Sequence, residues 1–280
     1  MKRSGRGAWA FVLVLGGIVA TAGPSDSRPS ATCRGFSATI VGTRHHDVLK
    51  GTPRRDVIAG LGGNDRIDGL GSNDMICAGD GDDRVSGGGG ADFIVPGLGS
   101  DIVDGASGRD WLDYAQSTVG LRIDLREGVT DGEGRDHFRS VEQVAGGQGN
   151  DTFLGTGGSD SFESGQGQDT LIGRGGNDRL IDTMGVTVIK GGSGDDYVQG
   201  AAASDRLNGG TGDDTLVGRN GKDKLLGGSG SDTIRGQRGQ DRMFGGDQDD
   251  VLDGGDGIDQ ADGGGGTDEC SAEEFRRCEG

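Results

Sequence analysis

Gly209-Gly210-Thr211-Gly212-Asp213-Asp214-Thr215-Leu216-Val217 is one copy of the nine-residue unit whose reading decides the fold. From Gly146 to Ser271 the unit recurs fourteen times without insertion or deletion. Its sixth position reads Asp151, Asp160, Asp169, Asp178, Thr187, Asp196, Asp205, Asp214, Asp223, Asp232, Asp241, Asp250, Asp259 and Asp268. Its eighth position is apolar in every copy, from Phe153 through Leu216 to Cys270.

Upstream, from Gly42, the unit runs eight more times through Asp47, Asp56, Asp65, Asp74, Asp83, Asp92, Asp101 and Asp110. The apolar column there is aliphatic without exception, from Leu49 to Leu112. Across 22 units, 21 carry Asp at position six and all are apolar at position eight. Position one is Gly in 18 and position four in 17, which suits positive φ or close approach of backbones. Positions seven to nine, with one inward apolar residue, form a short strand. Six residues of turn then alternate with three of strand, and two units make a coil that stacks on the next at about 4.8 Å. The expected fold is all-β, a parallel β-roll.

The remaining segments fall outside the period. Residues 1–22 have a basic start at Lys2, Arg3 and Arg6, an apolar run and Ala20-Thr21-Ala22, the pattern of a secretory signal peptide cut after Ala22. Its loss of three cations takes the net charge from −18 to −21. Residues 23–41 read as a linker and a cap strand near Ser37 to Val41, and 114–145 as a β-rich insert with a strand around Leu121, Ile123 and Leu125. Residues 42–113 and 146–271 are the two arrays, and 272–280 a C-terminal cap. Four cysteines in an exported chain point to disulfides, with Cys33–Cys77 and Cys270–Cys278 the favoured pairs.

Stacking places the Asp of one unit over the Asp two units later. Carboxylates so close require a cation between them. Oxygen donors from carboxylates and turn carbonyls suit Ca²⁺ better than Mg²⁺ or Zn²⁺. One apolar side chain per nine residues is a thin core against the entropy of ordering the backbone, so metal binding is expected to supply much of the folding free energy. The six Asp pairs of the first array and ten of the second set an upper bound of sixteen sites. Candidate metal ligands are the position-six residues from Asp65 to Asp110 and from Asp151 to Asp268, Thr187 excepted. The turns holding His45, His46, Arg54 and Arg55, the Asp182–Thr187 turn and the Ala201-Ala202-Ala203 turn are poor candidates.

The pattern Gly-Gly-x-Gly-x-Asp-x-U-x, with U apolar, resembles the nonapeptide of RTX (repeats-in-toxin), or haemolysin-type, calcium-binding proteins. The resemblance spans about 200 residues and implies a roll with Ca²⁺ held in its turns by position-six Asp and turn carbonyls. The insert, from Leu112-Asp113-Tyr114 to Val141-Glu142-Gln143-Val144, resembles the segment beside such rolls in secreted members.

The function expected is that of a secreted, monomeric, non-catalytic calcium-binding protein; the alternative is a calcium-stiffened adhesion or matrix protein. His45, His46 and His137 stand in no His-Glu-x-x-His motif and no Gly-x-Ser-x-Gly occurs. The acidic balance opposes nucleic acid and anionic membranes. The ladder of identical residues that an ice-binding roll needs is absent, since position three holds Thr only at Thr211.

Overall fold

The computed structural model describes residues 31–276 and residue 278. The expected signal peptide and most of the linker lie outside the described residues. From Ala31 onward the chain is one compact unit, built of strands and turns.

Alternate nonapeptides feed two sheets, one of fifteen strands and one of thirteen. The register is the one an eighteen-residue coil requires. In the larger sheet Leu207 pairs with Leu225 and Leu225 with Met243; in the smaller, Leu216 pairs with Ile234 and Ile234 with Leu252. All pairing between array strands is parallel. Each strand turns one side chain inward, so the position-eight column is the core, with Ile76, Leu171 and Ile234 fully buried between the sheets. Only the end layers, at Leu49 and Cys270, are partly open.

Both ends are stapled. Cys33 bonds Cys77, and Cys270 bonds Cys278. The first staple ties down a hairpin of Thr32–Cys33 and Phe36–Ser37, where Arg34 also reaches Asp113 at 2.9 Å. The single strand expected near Ser37 to Val41 is therefore two: Ser37 closes the hairpin, while Ile40–Val41 pairs with Val57–Ala59.

The insert is woven into the roll. In the smaller sheet Trp111–Asp113 pairs directly with Gln143–Ala145, which pairs with Ser161–Glu163, so that sheet continues without a gap. In the larger sheet the segment contributes three strands. Arg135–Arg139 lies parallel on Ile102–Ser107, Arg122–Asp124 lies parallel on Thr152–Leu154, and Val129–Asp131 runs antiparallel between them. The nine-residue phase lost in the sequence is thus restored in space, with Leu112, Val144 and Phe162 in one inward column. Ile123, Phe138 and Val144 join the same core.

Candidate metal centres

Every position-six Asp from Asp56 to Asp268 is buried, at 8% exposure or less. Its two carboxylate oxygens have different fates. Oδ1 accepts the backbone N–H of the Asp one coil earlier: Asp196 N–H donates to Asp214 at 2.8 Å, Asp214 to Asp232, and Asp232 to Asp250. This ladder crosses the insert, where Asp101 donates to Asp136 and Asp110 to Glu142. It ends with Asp259 donating to Glu273. Asp136-x-Phe138 thus belongs to a further unit that keeps Gly132 and Gly134 at positions two and four, Glu142-x-Val144 is a unit without the glycine turn, and Glu273 completes the last coil. For the Glu142 unit an acid two residues before an apolar side chain is the signature in the sequence, whereas the Asp136 unit carries two turn glycines as well.

The fate of Oδ2 divides the turns into two kinds. In the first kind it is buried with no hydrogen-bond partner. This holds for Asp65, Asp74, Asp83, Asp92, Asp101, Asp110, Asp169, Asp178, Asp196, Asp214, Asp223, Asp232, Asp241, Asp250 and Asp259. In all of these turns the residue at position two has positive φ, even where it is not glycine: Leu61, Leu70, Ala106, Arg174, Arg219 and Gln237 lie at 72–80°. In the second kind the position-two residue has no positive φ, and its own N–H takes Oδ2. These are the turns of Asp47, Asp56, Asp151, Asp160 and Asp205, closed by Thr43, Thr52, Gly147, Thr156 and Ala201. Threonine enforces closure, because a β-branched residue resists the left-handed region and its hydroxyl adds a second bond to the carboxylate. Asp268 follows a left-handed Gly264 at the C-terminal end of the column.

Position one explains itself by close approach. A β-carbon on Gly236 would stand 2.5 Å from Asp241 Oδ2 and 2.7 Å from the Gly254 carbonyl oxygen of the next coil. Two acceptors from neighbouring coils converge there, and Asp241 Oδ2 has no hydrogen-bond partner. Among the described residues no three His, Cys, Asp or Glu side chains cluster, so an ion held here draws on carboxylates and main-chain carbonyls together.

The Thr187 turn is a variation on this theme. Its sixth position lacks the acid, but position one, glycine in most units, is Asp182, which is fully buried with Oδ1 held by Ser164 at 2.9 Å and Oδ2 unpartnered. Burial chiefly raises the carboxyls of Asp169 and Asp205 on either side, and repulsion from Asp182 adds to both. An acid moved from position six to position one of the same unit is the signal the sequence carries for it.

Burial loads the column. It raises the Asp101 carboxyl to about 8, with Asp136 and Asp83 adding repulsion. Burial likewise raises Asp169, Asp178, Asp214, Asp223 and Asp232 to about 7, and Asp74, Asp83, Asp110, Asp205 and Asp250 to about 6, against hydrogen bonds that lower them. A buried acceptor without a partner costs about 1–3 kcal/mol, and more when charged. Fifteen such oxygens facing carbonyls fit a column of hard cations.

A family model described as the RTX calcium-binding nonapeptide repeat matches residues 41–76, 78–112 and 145–180, and in overlapping copies 183–274. No curated protein matches the chain.

Proposed function

Since the chain belongs to the RTX calcium-binding nonapeptide repeat family, we propose that its role is to bind several Ca²⁺ ions in the turns whose Asp Oδ2 is unpartnered, and that it does so without catalysis. The observation that carries this reading is that every orphaned position-six Oδ2 lies in a turn with positive φ at position two, and every turn closed onto Oδ2 lacks it. Ions require both members of a stacked pair to offer an oxygen. Four such pairs lie in the first array and six in the second, ten in all, beginning with Asp65–Asp83 and ending with Asp241–Asp259. Asp151, Asp160 and Asp205 are weaker ligands on this reading, because their own turns already satisfy them. When bound, Ca²⁺ supplies the positive charge that the carboxylate column lacks; the chain's residues supply the oxygens and the spacing.

The leader pattern at 1–22 supports export, with Gly23 as the first residue of the mature chain. Among the described residues no helix is long and apolar enough to cross a membrane. Equilibrium dialysis with Ca²⁺, paired with far-ultraviolet circular dichroism in chelator and in millimolar Ca²⁺, tests the reading. It expects roughly ten ions per chain and a large gain of β signal on their addition. Coincident spectra and no bound ion would sink it.

A further inference from the structure

A second site lies on the outer surface, along the edge where turns lead into the larger sheet. There a groove of about 520 Å³ crosses four successive coils. Its walls carry four exposed cations, Arg206, Lys222, Lys224 and Arg242, in a chain whose net charge is −18. Three of them form one ladder, since Arg206 pairs in register with Lys224 and Lys224 with Arg242. Among the described residues none of the four head groups takes part in an ion pair, and Lys224 lies over the Phe244 ring at 5.7 Å. The acids beneath them, Asp205, Asp223 and Asp241, are buried and bonded inward through Oδ1.

Like charges opposite one another in a sheet are unfavourable. The same strand position holds Thr152, Thr170 and Val188 in the preceding coils, so the roll does not need charge there. One cation per coil, repeated at the strand spacing of about 4.8 Å, suits an anion that also repeats along an extended chain. A lone small anion would engage one rung. Ser204, Gln240 and Gln260 add neutral hydrogen-bonding groups along the same line, as hydroxyl-rich polymers require. Overall negative charge penalises duplex nucleic acid, with a charge every ~1.7 Å, more than a single chain with one carboxylate per sugar. Arginine's fork matches a carboxylate, with lysine as a point charge beside it.

We propose that this groove binds a linear uronic-acid polysaccharide lying along the roll axis, with Arg206, Lys224 and Arg242 each meeting successive carboxylates. The site is distinct from the calcium turns, whose carboxylates lie beneath it.

The test uses the calcium-loaded chain and polygalacturonate, with neutral dextran and single-stranded DNA as comparison probes. Affinity electrophoresis or calorimetry should show binding to polygalacturonate that weakens with added salt, and little to dextran. The triple variant Arg206→Gln/Lys224→Gln/Arg242→Gln should lose tenfold or more in affinity and flatten the salt dependence. The matching variant Arg206→Lys/Arg242→Lys should retain most of it. Circular dichroism in Ca²⁺ confirms that each variant keeps its fold, as exposed substitutions generally do. Three results would overturn the proposal: no binding to polygalacturonate, an equal loss from Arg66→Gln/Arg84→Gln in the first array, or DNA bound as tightly as polygalacturonate.

Discussion

The coils that open the roll and those of its second half share a sequence formula and differ in one torsion. At Asp47 and Asp56 the chain bends with Thr43 and Thr52 in ordinary backbone conformation, and Oδ2 of each Asp accepts both the N–H and the hydroxyl of its threonine. At Asp214, Asp232 and Asp250 the position-two glycines, at φ 123°, 128° and 134°, turn their N–H groups away and leave Oδ2 without a partner. The first kind of turn is complete as protein. The second is complete only with something else. Backbone strain and unsatisfied oxygen coincide in the open turns, where Leu61, Leu70, Arg174, Arg219 and Gln237 also hold left-handed φ against their preference. A structure that keeps an unpartnered carboxylate oxygen in fifteen turns, and a left-handed non-glycine residue at position two in six of them, is shaped around a ligand.

Removing Ca²⁺ should have the largest effect, and it should not be uniform. Hydrogen exchange in chelator is expected to show protection collapsing from about Arg206 to Gly257, where open turns follow one another. The hairpin and first coil, with closed turns and the Cys33–Cys77 bond, should lose least. Equal loss at both ends would erase the distinction between the two kinds of turn.

Acid should narrow the difference. Carboxyls such as Asp101, Asp178, Asp214 and Asp232 are raised from 3.8 to between about 7 and 8, chiefly by burial. The ion-free roll therefore carries the penalty of charged, buried carboxylates in full above those values and sheds it as pH falls toward 3.8. Two outcomes follow. Without Ca²⁺, β structure measured by circular dichroism should increase between about pH 7 and 5, and apparent Ca²⁺ affinity should fall over the same interval as protons compete. An affinity independent of pH from 5 to 8 would contradict the buried column.

Much of this architecture was legible from the chain itself. The two columns at positions six and eight announced the roll because a coil of two units leaves no freedom in register. The insert was harder, since the Asp136 unit, with Gly132 and Gly134, stands out of phase with the arrays, and Glu142-x-Val144 keeps the acid and the core residue but drops the glycine turn. The division of turns was half visible. Bulky basic residues mark the first two turns as poor sites in the sequence, whereas the structure closes them through threonine at position two, the same residue that closes the Asp160 turn. Gly147 could not have been read, because glycine adopts either conformation and only its surroundings choose. The exchange of Asp182 for the acid missing at Thr187 was written plainly, but reading it needed the knowledge that positions one and six face each other.

Single substitutions should convert one kind of turn into the other. Gln237 holds φ 74° without being glycine, so replacing it adds no new crowding from a missing β-carbon. Gln237→Thr should favour the closed form and satisfy Asp241 internally. The expected loss is about 1–3 kcal/mol of calcium-loaded stability, together with the two ions shared by Asp223–Asp241 and Asp241–Asp259. Chemical denaturation in saturating Ca²⁺ and ion counting measure the two parts separately. Unchanged stoichiometry would mean that position two does not govern binding.

The reverse substitution is the gentlest. Thr156 donates its N–H to Asp160 Oδ2 at 2.6 Å and its hydroxyl to the same oxygen at 3.1 Å. Asp178, the next acid in that column, already has an unpartnered Oδ2. Thr156→Gly frees position two to become left-handed and removes the hydroxyl, so Asp160 gains an oxygen to share with Asp178. Without Ca²⁺ the variant should lose about 1 kcal/mol, from one hydrogen bond and a more flexible unfolded chain. With saturating Ca²⁺ it should bind one ion more than the parent and recover that loss. A variant weakened in both conditions with no added ion would show that opening a turn is not enough, and that the neighbouring carbonyls must also be set by the rest of the coil.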